Sequence, residues 1–267
     1  MHRLAATILA LVSFLLAALP AAAESLKDLK FGVVLMHGKW GAPDNPALHK
    51  LSQALRDAGV LLEMPTMPWS RHRNYDAGYG DALKDIDKAV ATLKEKGAAR
   101  IAVGGHSFGA NAAILYAANR DGVAGVIALA PGHVPDMGRF RQSMASDVQM
   151  AKQQAAAGKG GESFTFADLN QGRRLDKHAT ADIFLSYFDP EGMGAMTLSA
   201  PKIKSGAALL WVIGEKDPLF AGGKAAIYDK APANSKSRYV EVPGGHMETP
   251  SESVDHVLGW FKALAQH

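Results

Sequence analysis

The 267-residue chain contains no cysteine. That excludes disulfides, thiolate nucleophiles, cysteine-ligated zinc and iron–sulfur clusters. Blocks of one charge are missing too: 29 Lys and Arg stand against 26 Asp and Glu, and no basic run exceeds two residues. The net charge of +3 is therefore spread thinly, and nucleic acid is not an expected partner. No His-x-x-x-His and no cluster of carboxylates occurs, so neither a metal nor a cofactor is expected. There is no internal repeat and no low-complexity tract. What remains is ordinary globular composition, 48% hydrophobic and 21% charged, with 27 Gly and 13 Pro.

The N-terminus reads Met1-His2-Arg3, an apolar stretch over 4–19, then Pro20 and Ala21-Ala22-Ala23 before Glu24. A basic start, an apolar centre and small residues before a polar one make a cleavable signal peptide. The apolar stretch is shorter than the roughly 20 residues that span a bilayer core, and no later one is long enough. The expectation is cleavage after Ala23, no membrane anchor afterwards, and a periplasmic or secreted protein.

Six apolar runs follow, over 32–36, 60–64, 100–104, 124–130, 207–213 and 238–242. Most are continuous rather than alternating, as in parallel strands buried on both faces. Amphipathic segments lie between them. Asn45-Pro46 caps one that carries Leu48, Leu51 and Leu55 and stops at Gly59. Ile86, Val90 and Leu93 mark a second before Gly97. Val254, Val257, Leu258 and Phe261 mark a third behind Ser251. The pattern predicts an α/β fold with a mostly parallel central sheet and helices on both faces. Two connections are too long for simple loops: 65–80, and a polar stretch over about 133–204 with a helical piece near 140–157. The second reads as an inserted cap on a single domain over 24–267.

Chemistry concentrates at the ends of the runs. The run 100–104 enters Gly105-His106-Ser107-Phe108-Gly109, a Gly-x-Ser-x-Gly sequence in strand–turn–helix context. So tight a turn holds the serine in strained geometry and needs small residues two before and two after it. The serine needs a base, and the base an acid. The run 207–213 ends in Gly214-Glu215-Lys216-Asp217-Pro218, and 238–242 ends in Pro243-Gly244-Gly245-His246-Met247. The order Ser107, Asp217, His246 suits this architecture. Glu215 is the rival acid, while His256 and His267 are the other histidines after Asp217. His37 and His106 flank the site loops and are read as braces of the backbone. An oxyanion needs two amides: Phe108 N–H is one, and the second comes from His37-Gly38-Lys39-Trp40-Gly41, with Lys39 ahead of Trp40. Trp40, Trp69 and Phe108 could line an apolar pocket and Arg71 and Arg73 could meet an anionic group, but packing or solvation explains them equally well.

These motifs together resemble the α/β-hydrolase family over residues 31 to about 265. The resemblance implies a serine hydrolase with Ser107, Asp217 and His246 as nucleophile, acid and base, and a cap between the sixth and seventh family strands. The family's early antiparallel strands are not evident before Phe31, which points to a shortened sheet. The substrate expected is a small ester-like molecule cleaved through an acyl-enzyme. The same triad serves thioesterases and peptidases, and a silent ligand-binding protein is the alternative from another class. A dehalogenase would resemble this pattern with Asp in the nucleophile slot, and a dienelactone-type hydrolase with Cys there.

Overall fold

Each apolar run becomes a strand in the computed structural model, which describes residues 25–266. The leader expected over 1–23 lies outside the described residues. β1 (Phe31–Met36) leads into α1 (Pro46–Asp57), where the Asn45 side chain accepts the Ala47 N–H and Pro46 opens the first turn. β2 (Leu61–Glu63) is followed by a turn-rich connection and α2 (Tyr79–Glu95). β3 (Arg100–His106) turns directly into α3 (Phe108–Asn119), and β4 (Gly125–Leu129) follows. An insertion then holds α4 (Gly138–Ala156), β5 (Ser163–Asn170), β6 (Arg173–Thr180), α5 (Ala181–Phe188) and α6 (Met196–Ser199). The chain returns through β7 (Ala208–Gly214), α7 (Phe220–Ala226), β8 (Arg238–Val242), α8 (Thr249–Glu252) and α9 (Val254–Ala265).

The sheet has the order β2-β1-β3-β4-β7-β8, and every neighbouring pair is parallel. No strand precedes β1 among the described residues. Alternate residues of the central strands feed two separate cores. Val34, Val103, Val126 and Trp211 pack on one face with α2 and α3; Val33, Ala102, Ile127 and Leu210 pack on the other with α1 and α9. That is why the runs are apolar without alternation. α3 is buried from Phe108 through Ala118 and, apart from the hydrogen-bonded Asn111, nearly apolar all round, as a helix enclosed by sheet and insertion must be. Among the described residues no helix is long and apolar enough to cross a membrane.

The insertion contains more regular structure than the sequence pattern specified. The helical piece near 140–157 is α4, and after it β5 and β6 form an antiparallel hairpin, with Asn170 opposite Arg173. Gln171 and Gly172 turn it with φ of 49° and 76°, the pair of positive values a two-residue hairpin turn uses. Gln-Gly is a weaker turn signal than Asn-Gly, and β6 is exposed over most of its length. An apolar pattern was therefore never required of it. The hairpin packs on an aromatic cluster in which Phe184 lies 4.5 Å from Phe166 and 4.6 Å from Phe188, centroid to centroid.

Candidate functional site

Ser107 stands between β3 and α3 with φ 57° and ψ −116°. An L-residue in that region costs of order 1–3 kcal/mol, and persists only where its surroundings hold it. Here Ser107 N–H donates to Leu129 O at 3.0 Å, and Ser107 O accepts from Gly132 N–H and Ala110 N–H, both at 3.1 Å. The glycines two residues away are needed for room. A Cβ on Gly105 would stand 2.5 Å from Met36 O, and one on Gly109 would collide with the same carbonyl.

His246 and Asp217 come together across 29 positions of sequence. His246 Nδ1 lies 2.6 Å from Asp217 Oδ2, and Asp217 Oδ1 accepts the Leu219 N–H at 2.7 Å. The carboxylate is 1% exposed and the imidazole 15%, whereas Glu215, two positions earlier in the same turn, is exposed. His256 lies within α9. The imidazole faces the same gap as the serine hydroxyl: a Cβ on Gly132 would stand 2.7 Å from Ser107 Oγ and 3.5 Å from His246 Cε1. Any side chain at position 132 would crowd both, a constraint the sequence motifs did not point to.

The two neighbouring histidines are braces. His106 Nε2 donates to His246 O at 2.9 Å, and burial drives its pKa down to about 3. His37 Nε2 accepts the Met67 N–H at 3.1 Å while its Nδ1 donates to Gly38 O at 2.8 Å; burial lowers its pKa to about 4. Both rings are neutral near pH 7, and each fixes a loop beside Ser107.

Of the amides weighed for an oxyanion, Phe108 N–H opens α3 and has no carbonyl a turn earlier to meet. Trp40 N–H is engaged with Trp69 O at 2.9 Å, while Lys39 N–H donates to no carbonyl among the described residues. Gly38 serves this loop by size and not by conformation. Its Cβ would stand 3.1 Å from Ser107 Cβ, and the residue with positive φ (57°) is Trp40.

A cleft of about 220 Å³ opens over Ser107, bounded by Lys39, Trp40, His106, Gln171, Arg173 and Met247 among others. The tip of the β5–β6 hairpin spans it. Gln171 Nε2 donates to Met247 Sδ at 3.2 Å on the histidine side, and Asn170 Nδ2 donates to Lys39 O at 3.3 Å on the other. Sequence reasoning missed Asp168, Asn170, Gln171 and Arg173. The available signal was the face Phe164, Phe166, Asp168, Asn170, where an inward apolar pattern turns polar at its end.

Other side chains have plain structural employment. Trp69 and Phe108 stack at 4.5 Å in the core and reach no cleft. Arg71 pairs with Asp44, and Arg73 with Asp76 and Asp85.

Comparison with known proteins bears on the family and the fold. A profile described as "Alpha/beta hydrolase family" matches residues 33–256. No curated protein matches the chain. Among solved structures, the chain is similar to a monoacylglycerol lipase of Paleococcus ferrophilus at 21% identity and TM-score 0.63, over 87% of this chain and 94% of that one. It is similar to a highly thermostable carboxyl esterase from Bacillus coagulans at 14% and 0.62, over 88% and 90%. A thioesterase domain from the curacin biosynthetic pathway gives 14% and 0.52, over 86% and 90%. Identities this low speak for shared fold.

Proposed function

The chain belongs to the α/β hydrolase family, and on that footing we propose that it is a serine hydrolase cleaving a small carboxylic ester or related acyl bond. Ser107 is the nucleophile, His246 the base and Asp217 the acid that orients it. The observation that carries this reading is the 2.6 Å His246–Asp217 contact facing the same gap as a serine held at φ 57°.

With Nδ1–H donating to Asp217, the lone pair of His246 lies on Nε2 and is free to take the Ser107 proton. The alkoxide attacks the ester carbonyl, and the negative charge on the carbonyl oxygen meets the N–H groups of Phe108 and Lys39. His246 returns the proton to the departing alcohol, leaving an acyl group on Ser107. Water activated by the same imidazole then releases the acid and restores the serine. The neutral rings of His106 and His37 take no proton in this cycle. The cleft is below the roughly 300–1,000 Å³ of pockets that enclose drug-sized ligands, which favours a small substrate. We propose also that residues 1–23 direct export, in which case the mature chain isolated from culture begins at Glu24 by mass spectrometry.

Ser107→Ala tests the assignment. Expected is loss of short-chain p-nitrophenyl ester hydrolysis by roughly 10⁴–10⁶-fold, and loss of fluorophosphonate labelling, with an unchanged melting temperature. Hydrolysis surviving in the variant would refute it.

A further inference from the structure

The mechanism above leaves unused a charged pair buried between the insertion and the loop after β1. Lys39 Nζ donates to Asp168 Oδ1 at 2.6 Å and to Leu169 O at 3.0 Å, and the two side chains are 3% and 0% exposed. The other carboxylate oxygen, Asp168 Oδ2, accepts from Trp40 Nε1 at 2.7 Å and from the Tyr75 hydroxyl at 2.6 Å. The ammonium also sits 4.9 Å from the Phe140 ring centroid and 5.1 Å from that of Phe188.

A buried ion pair is a poor way to gain stability, since well-packed apolar groups of the same volume commonly do as well or better. What it supplies is direction. Asp168 grips the side chains of two consecutive residues, Lys39 and Trp40, in one loop. The backbone between them is held as well: its carbonyl, Lys39 O, accepts from Asn170 Nδ2, and its N–H, on Trp40, donates to Trp69 O. With that peptide pinned at both ends and both side chains anchored, the preceding amide, Lys39 N–H, has little freedom to reorient.

We propose that Asp168 is a positioning residue for the oxyanion site, so that strand β5 of the insertion is part of the catalytic apparatus and not only a cover over it. This rests on the serine-hydrolase reading above. Asp168 touches no substrate and acts through the Lys39 amide. Its removal should therefore appear in turnover and in affinity for a tetrahedral mimic, and not in ground-state binding.

The test uses the full mature chain, with active sites counted by fluorophosphonate titration. In Asp168→Asn, kcat per titrated site should fall about 10- to 100-fold, less than the roughly 10²–10³ for outright loss of an oxyanion donor. KM on a short p-nitrophenyl ester should hold within about twofold, and the inhibition constant of a phenylboronate should rise in parallel with the loss of kcat. Because Asp168→Asn leaves Lys39 buried and unpaired, it is accompanied by the double variant Lys39→Met/Asp168→Asn, which removes both charges. A purely structural pair predicts that the double variant regains both melting temperature and turnover; positioning predicts that it regains the first alone. Wild-type kcat per titrated site in the double variant, or a defect confined to KM, overturns the inference. An active wild type beside unaffected variants refutes this inference alone, whereas a wild type that neither cleaves esters nor takes the probe refutes the proposed function.

Discussion

The sheet and the insertion are built on different physics. In the sheet, residues such as Ile127 and Val126 on adjacent positions enter opposite cores of nonpolar side chains, aliphatic and aromatic together, and any apolar residue of the right size would serve. In the insertion, the hairpin leans on a few aromatic rings and on Asp168, whose three donors come from elements outside it. A sheet of the first kind tolerates substitution and stays rigid. A hairpin of the second kind is only as well placed as its few directional contacts. The residues proposed for proton transfer sit on loops at strand ends, and the insertion adds Asn170, Gln171 and Arg173 as one wall of the cleft.

The sharpest break of the comparison is on the sheet side. Asp217→Asn should lower kcat by about 10⁴-fold through the wrong imidazole tautomer. Glu215→Gln, in the same turn but exposed, should leave kcat within twofold. Steady-state kinetics of the two variants separate them, and equal losses would return Glu215 to contention.

Cavities made in the two regions should behave differently. Phe184→Ala removes a ring from the aromatic cluster and should cost about 3–5 kcal/mol, expressed as local opening. Amide exchange should rise within 130–207 while β3, β4 and β7 keep their protection. Ile127→Ala, at about 2–5 kcal/mol, should instead lower the global melting temperature. Uniform deprotection in both variants would show that the regions unfold as one.

The same comparison extends to acid sensitivity. His37 and His106 have folded pKa values of about 4 and about 3, because burial disfavours their charged forms. Between the ordinary histidine value near 6.5 and those values, the unfolded chain binds more protons than the folded one, so stability falls as pH falls. Each group contributes a slope of up to about 1.4 kcal/mol per pH unit there. Urea unfolding at pH 7, 5.5 and 4.5 should give a descending series, and a flat one would contradict the neutral brace assigned to both rings.

The strands were legible because a doubly buried parallel strand leaves an unbroken apolar signature, as β4 and β7 do. The Ser107 turn was legible because its geometry restricts residue type at 105 and 109 to glycine. The hairpin was not, because β6 faces water and needs no pattern, and because the turn at Gln171-Gly172 lacks the common Asn-Gly signal. The role of Gly132 was hidden for another reason: what it avoids, Ser107 Oγ and His246 Cε1, lies 25 or more positions away.

By itself the amino-acid order determined the alternation of strand and helix, the strained serine turn and the order of the acid and base that follow it. These are local demands of backbone geometry and period. Which acid meets His246, which of the Lys39 and Trp40 amides is left unpaired, and that a strand of the insertion holds Lys39 through Asp168 were decided only by the tertiary structure. Burial and hydrogen-bond direction depend on neighbours that the chain brings together from far apart.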